Sequence, residues 1–177
     1  MEAFMGGMRA EDGSMSHPVL LRIPPIEDEA AARDQVARGL AAGVRGVVFP
    51  HATGAEQARA SIRITPGLWP ADPGGGIVSI LIIEDQEGIA HAREILATSG
   101  PTVVFAGPGD LRRAYESDME AVENAIQTVL AACLEFDVPC GITAGVEDIA
   151  GRIDQGFRVI IVTDAAALEP GRAAAGR

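Results

Sequence analysis

The chain contains no lysine; all fourteen basic side chains among its 177 residues are arginine. No other side chain forms a Schiff base with a carbonyl substrate or anchors pyridoxal phosphate. Any carbonyl chemistry here must therefore rely on a metal or an oxyanion site. Cysteine is nearly absent as well. Cys133, in a helical run, and Cys140, in a short strand, lack C-x-x-C spacing and read as packing residues of a reduced compartment rather than a disulfide framework. No apolar run approaches the roughly 20 residues a membrane span needs, and residues 1–16 have neither the basic start nor the apolar block of a secretion signal. A cytoplasmic protein without a membrane partner is expected. Positive charge is scarce: the formal net charge is −11, which argues against nucleic acid or anionic membrane as a partner. No two histidines stand four apart, which excludes a zinc helix. No glycine fingerprint follows the first strand, where the sequence is RIPPIED, and Gly74, Gly75 and Gly76 precede a strand instead of following one. No nucleotide cofactor is expected.

What is present is apolar and alternating. With 47% hydrophobic residues, the chain suits one packed domain. Residues 77–84, IVSILIIE, predict a strand buried on both faces, the kind that belongs in a parallel sheet covered by helices. The run ends in Glu84 and Asp85. The next apolar run, residues 101–106, emerges into GPGD and presents Asp110. In α/β folds the carboxyl ends of the strands carry the chemistry. Two acids delivered there by consecutive strands make a candidate site for a hard divalent cation.

The remaining elements follow from caps and breakers. Residues 1–17 form a flexible helical remnant and linker, and residues 18–177 form the domain. Residues 17–23 predict a strand closed by Pro24 and Pro25. Helix is expected over residues 27–42, with Gly43 as its stop, then strand over 45–49. Thr53 is placed to cap a helix over 54–62, and 65–76 form a Pro- and Gly-rich loop around Trp69, an interface or lid anchor. A single helix over 86–98 follows the central strand. GPGDLRR starts a short helix that Asp110 can cap at Leu111. Then come helix 118–137, strand 138–144, helix 146–155, strand 157–163 and a closing helix capped by Asp164. Six strand-then-helix units specify a parallel sheet with right-handed crossovers. Two architectures fit: an open doubly wound sheet, which the length favours, or an incomplete (β/α)8 barrel, whose complete form runs to about 250 residues.

Five segments decide between them: LLRIPP, GVVFPHATGAEQARA, IIEDQEGI, VVFAGPGDL and GFRVIIVTD. In this order and spacing they resemble the HpcH/HpaI aldolase and citrate lyase family, metal-dependent barrels acting on pyruvate-like substrates. The resemblance spans residues 18–177 and starts at the family's third strand. It implies an α/β, TIM-type barrel, incomplete, with about six units matching strands three to eight and the first two upstream of Met1. It further implies Glu84 and Asp110 as ligands of Mg²⁺ or Mn²⁺, and Arg22 facing the developing enolate and carboxylate. Gly107, Pro108 and Gly109 would form a turn whose amides approach the substrate carboxylate. The implied activity is that of a metal-dependent (class II) aldolase or lyase, with a 2-oxo acid and an aldehyde or acyl substrate as partners.

The departures are specific. The family's general-base His, delivered after strand two, has no counterpart in this chain. Its supporting Asp would fall near Ala41, a common substrate-binding Gln is Ile82, and a glycine- and arginine-containing loop is shortened to ITPGLWPADPGGG. Activity impaired by the missing base is one expectation; a non-catalytic metal-binding remnant, or a subunit that needs a partner chain to complete the barrel, is the alternative. Arg22, inside an apolar strand, must meet a carboxylate or an anionic ligand. His51 stands at the same rim, where it contacts substrate or a neighbouring subunit, or has no role. Asp85 and Glu87 read as solvated or supporting acids, and His17 and His91 as structural. An incomplete barrel exposes two sheet edges, so association, most simply as a homo-oligomer, is expected.

Overall fold

The computed structural model describes residues 2–13, 15, 17–67, 76–98 and 100–177; Trp69 and most of the loop around it lie outside them. Six strands form one sheet: β1 (Leu20–Arg22), β2 (Gly46–Phe49), β3 (Val78–Ile83), β4 (Val103–Ala106), β5 (Cys140–Thr143) and β6 (Val159–Ile161). All neighbours are parallel, and the spatial order is the chain order. A doubly wound sheet reverses direction partway, with helices on both faces. An unbroken order with right-handed crossovers instead sends every connection over the same face. The result is a curled α/β half-barrel, and the open-sheet alternative is excluded.

Side chains on the strands sort by this geometry. Val47, Phe49, Leu81, Ile83, Val104, Ala106 and Ile142 point at the helices and build the main core. Their alternates Val48, Ile80, Ile82, Val103 and Phe105 form a second apolar cluster on the concave face. The central strand β3 is covered on both sides, as its unbroken apolar run requires. Gly141 belongs to the concave layer: a Cβ there would lie 2.3 Å from Phe105 Cδ2, so the missing side chain makes room for the ring.

The helical layer comprises α1 (Glu2–Gly7), α2 (Glu29–Ala41), α3 (Ala55–Ile64), α4 (Gln86–Ala90), α5 (Ala92–Leu96), α6 (Pro108–Ala114), α7 (Met119–Glu135), α8 (Ile149–Gln155) and α9 (Leu168–Ala174), with a 3₁₀ turn at Ala165–Ala167. Met5 of α1 is buried and would meet any side chain placed at Gly43. Asp28, Asp118 and Asp164 cap α2, α7 and the 3₁₀ turn, and Gly156 ends α8 in the left-handed region.

Three local expectations are corrected. Gly54, not Thr53, is the N-cap of α3 and offers no side-chain bond. The helix expected over 86–98 breaks at His91, whose φ of −104° and ψ of 12° leave the helical region. Its ring reaches out to the Thr53 carbonyl at 2.9 Å, tying the break to the loop after β2. The strand expected over 17–23 is regular only at Leu20–Arg22, with one further backbone bond at each end, from the Arg45 N–H to the Val19 carbonyl and from the Ile23 N–H to the Val48 carbonyl.

Two glycine substitutions separate packing from propensity. Gly141→Ala is expected to lower unfolding free energy by about 1–3 kcal/mol through overpacking against Phe105. Gly151→Ala, in α8 with nothing within 4 Å of its Cβ, should raise it by about 0.5–1 kcal/mol. Urea unfolding of the two variants beside wild type reads both.

Candidate functional site at the carboxyl rim

Four connections meet at the carboxyl ends of β1 to β4. Glu84 follows β3 on the concave side, and its side chain is only 2% exposed. Its carboxylate is gripped at one oxygen. Oε1 accepts the His51 backbone N–H at 3.1 Å and the Arg22 Nη2 at 3.3 Å, and the His51 Nε2 lies 3.6 Å away. Oε2 faces Gly107 instead, where a Cβ would stand 2.8 Å from it. Only glycine at 107 lets the β4 turn close over that carboxylate.

His51 reaches its position through an unusual backbone. With φ at 51° it sits in the left-handed region, which costs a non-glycine residue about 1–2 kcal/mol. The turn aims its N–H at Glu84 and sets its ring between Glu84 and Asp85, with Nδ1 3.5 Å from Asp85 Oδ2. Asp85 is mainly structural: Oδ1 accepts the Gly88 N–H at 2.7 Å and caps α4.

Asp110 is the third residue of α6, not its cap. The helix starts at Pro108, whose lack of an N–H suits the first helical position. Asp110 therefore lies on the first turn facing Glu84, near enough for each carboxyl to shift the ionisation of the other. Burial and then the facing Asp110 push Glu84 above its usual 4.5, against the pull of His51. For Asp110, burial acts upward, but the bonds from Glu84 and Arg113 outweigh it and hold the group below its usual 3.8. The Arg113 Nη2 donates to Asp110 Oδ1 from one turn further along α6.

Arg22 departs from its expected setting. The edge position of β1 leaves its side chain 54% exposed, so burial does not force its pairing, although it does meet a carboxylate, Glu84. In the GPG turn the Gly107 N–H is spent on the Ile83 carbonyl at 3.1 Å and Pro108 has none. The Gly109 N–H remains, at a helix position without an intrahelical acceptor. Ile82 is buried in the concave cluster beneath Glu84. The contacts of Arg113 and of the His51 backbone were not anticipated from sequence. The i,i+3 spacing of Asp110 and Arg113 was the available signal for the first; a positive φ at His51 has none.

The acid pair has the donor chemistry of a hard-cation site. Two carboxyls, one in a poorly solvated position, are held together, and each meets an arginine through one oxygen. Among the described residues no group of three or more His, Cys, Asp or Glu is gathered for a metal. Mg²⁺ does not require one, since it is commonly held by one or two carboxylates with water and substrate oxygens completing its shell.

A parallel half-barrel with paired acids at its carboxyl rim defines the class. The model of the HpcH/HpaI aldolase/citrate lyase family matches residues 4–162, and the chain belongs to that family. It is 30% identical over 185 residues to the hydroxypyruvate/pyruvate aldolase of Delftia acidovorans, covering 89% of this chain and 66% of that one. It is 33% identical over 136 residues to the 5-keto-4-deoxy-D-glucarate aldolase of Citrobacter koseri, covering 73% and 50%. The chain thus spans between half and two thirds of these relatives. Among solved structures, the citrate lyase beta subunit of M. tuberculosis, complexed with oxaloacetate and magnesium, superposes with a TM-score of 0.70 at 20% identity, covering 97% of this chain and 78% of that one. A family protein from Burkholderia cenocepacia gives 0.66 at 19%, covering 99% and 98%. Among the described residues no helix is long and apolar enough to cross a membrane.

The raised Glu84 predicts a pH signature in the cation-free protein. Because its folded value lies above the unfolded 4.5, the stability from its protonated form is complete below about pH 4.5 and lost as pH rises through the folded value. Glu84→Gln, which never ionises, should gain stability relative to wild type between pH 4 and 7. Chemical unfolding of both proteins in chelator across that range measures the difference; a gap that narrows with rising pH contradicts the prediction.

Proposed function

We propose that this chain carries the metal half of a carbon–carbon lyase acting next to a 2-oxo acid, with Glu84 and Asp110 holding Mg²⁺ or Mn²⁺. The observation that carries the reading is the meeting of these two carboxyls at the concave rim, one of them buried. When bound, the cation would act as a Lewis acid that polarises the oxygens of the 2-oxo acid. The protein's own groups divide the remaining work. Arg22, half exposed beside Glu84, balances negative charge that develops on the substrate and pairs with its carboxylate. The Gly109 N–H, at the start of α6, donates toward the same carboxylate. His51 holds Glu84 through its backbone and leaves its partly exposed ring at the edge of the site, where it can touch substrate.

Proton transfer is the weaker half. The His that the family resemblance assigns to it has no counterpart in these 177 residues, and the ring of His51 is engaged by Glu84 and Asp85. That engagement favours a second reading, a metal-binding subunit that lacks turnover by itself or completes its site with a partner chain. Association is part of both readings. Among the described residues β1 and β6 have no strand partner on their outer edges, and Leu20 and Ile161 on them are 45% and 47% exposed, the kind of surface proteins cover. A homo-oligomer in the cytoplasm, with a 2-oxo acid and an aldehyde or acyl compound as substrates, is the simplest form of the proposal.

Three measurements test it. Titration with Mn²⁺ followed by electron paramagnetic resonance should detect binding that Glu84→Gln or Asp110→Asn weakens by at least about tenfold, the scale seen when even outer partners of a metal are removed. If neither substitution changes affinity, the site is wrong. Mn²⁺-dependent loss of the pyruvate methyl proton signal in D₂O supports the lyase; binding without exchange supports the subunit. Sedimentation at two protein concentrations reads association, and a monomer at both removes that part.

A further inference from the structure

We propose that Arg113 is a positioning residue that orients Asp110 toward the shared cation position, an inference that rests on the metal-site reading above. Each carboxylate of the acid pair has one oxygen held by an arginine. Arg22 takes Oε1 of Glu84 and Arg113 takes Oδ1 of Asp110. The two arginines come from different elements, β1 and α6, so they grip the acids independently. Held in this way, neither acid spends both of its oxygens on an arginine.

The two grips differ in how much they are needed. Glu84 is fixed three times over, by Arg22, by the His51 N–H and by burial against Gly107. Asp110 is 26% exposed and is not used as a helix cap, so no backbone amide pins its side chain. Among the described residues Arg113 is the cation hydrogen-bonded to it, and the charge of His51 acts on it only at longer range. Without Arg113, the carboxylate is free to rotate out of the first turn of α6 into water, which repulsion from Glu84 favours when both acids are ionised. Leu111, fully buried, anchors α6 itself, so loss of Arg113 frees the Asp110 side chain without moving its backbone.

Two effects of Arg113 on cation affinity oppose each other. Its charge repels a cation, and its hydrogen bond orders a ligand. The guanidinium is 76% exposed, so the repulsion is screened by water and salt, whereas the ordering is a short-range geometric effect that salt does not remove. Ordering therefore prevails. For the same reason Arg113 contributes little to global stability, as exposed i,i+3 pairs do.

The test is Mn²⁺ affinity of the intact chain, read by electron paramagnetic resonance in wild type, Arg113→Ala, Arg113→Lys and Asp110→Asn, with melting temperature as the control for folding. Arg113→Ala is expected to weaken Mn²⁺ binding about threefold to tenfold, less than the 10–100-fold typical of buried outer partners because the contact is exposed. Its melting temperature should stay close to wild type. Arg113→Lys, which keeps a donor and the charge, should recover part of the loss. Equal or tighter binding by Arg113→Ala, beside a clear loss in Asp110→Asn, overturns the positioning role and leaves the metal site intact. Unchanged binding in Asp110→Asn overturns the metal site and this inference together.

Discussion

The contact between the Glu84 and Asp110 carboxyls is the constraint around which the carboxyl rim is arranged. Two acids face each other, one of them nearly without solvent, so the region must offset the repulsion and keep both side chains from swinging apart. Each surrounding feature answers that demand. His51 adopts a left-handed backbone to bring an N–H to Glu84, Gly107 gives up a side chain to leave space for Oε2, and α6 begins immediately after β4, which puts Asp110 on its first turn. Arginines at both flanks supply the positive charge. The cation we propose would complete this set by offsetting the repulsion between the two acids.

The sheet makes such a meeting possible. Because the six strands run in chain order with every connection on one face, the ends of neighbouring strands stand side by side, separated by one strand spacing. Acids that are 26 positions apart in the sequence thereby become neighbours. The concave face beneath them is apolar, built from Val48, Ile80, Ile82, Val103 and Phe105. It supports the acids from below and lowers the local dielectric, which strengthens every electrostatic interaction above it.

Much of this was legible in the primary structure. The run IVSILIIE could only be a strand covered on both faces, and its terminal acid had to emerge at the carboxyl end. Asp28, Asp118 and Asp164 announced their helices, because a short polar side chain ahead of an amphipathic run satisfies free N–H groups. Thr53, with the same signature, was misleading: the chain starts α3 from the extended Gly54, and the Thr53 carbonyl receives His91 from another element. The single helix expected over 86–98 failed for the same cause, since a tertiary bond from His91 outweighs local propensity at one residue. Arg22 was read as buried because its neighbours are apolar, but apolar neighbours along a strand do not reveal whether a second strand lies beside it.

What the amino-acid sequence determined alone is the alternation of strand and helix, the lack of any lysine amine for Schiff-base chemistry, and the delivery of Glu84 and Asp110 to strand ends. These follow from local periodicity, composition and the direction in which a chain leaves a parallel strand. The tertiary structure decided the order of the strands, and hence the half-barrel over the open sheet. It also decided which oxygen of each acid is occupied, that Arg22 lies at an exposed edge, and that Gly109 keeps its amide while Gly107 does not. Those outcomes depend on contacts between segments distant in the chain, and no local pattern encodes a distance between residues that meet only after folding.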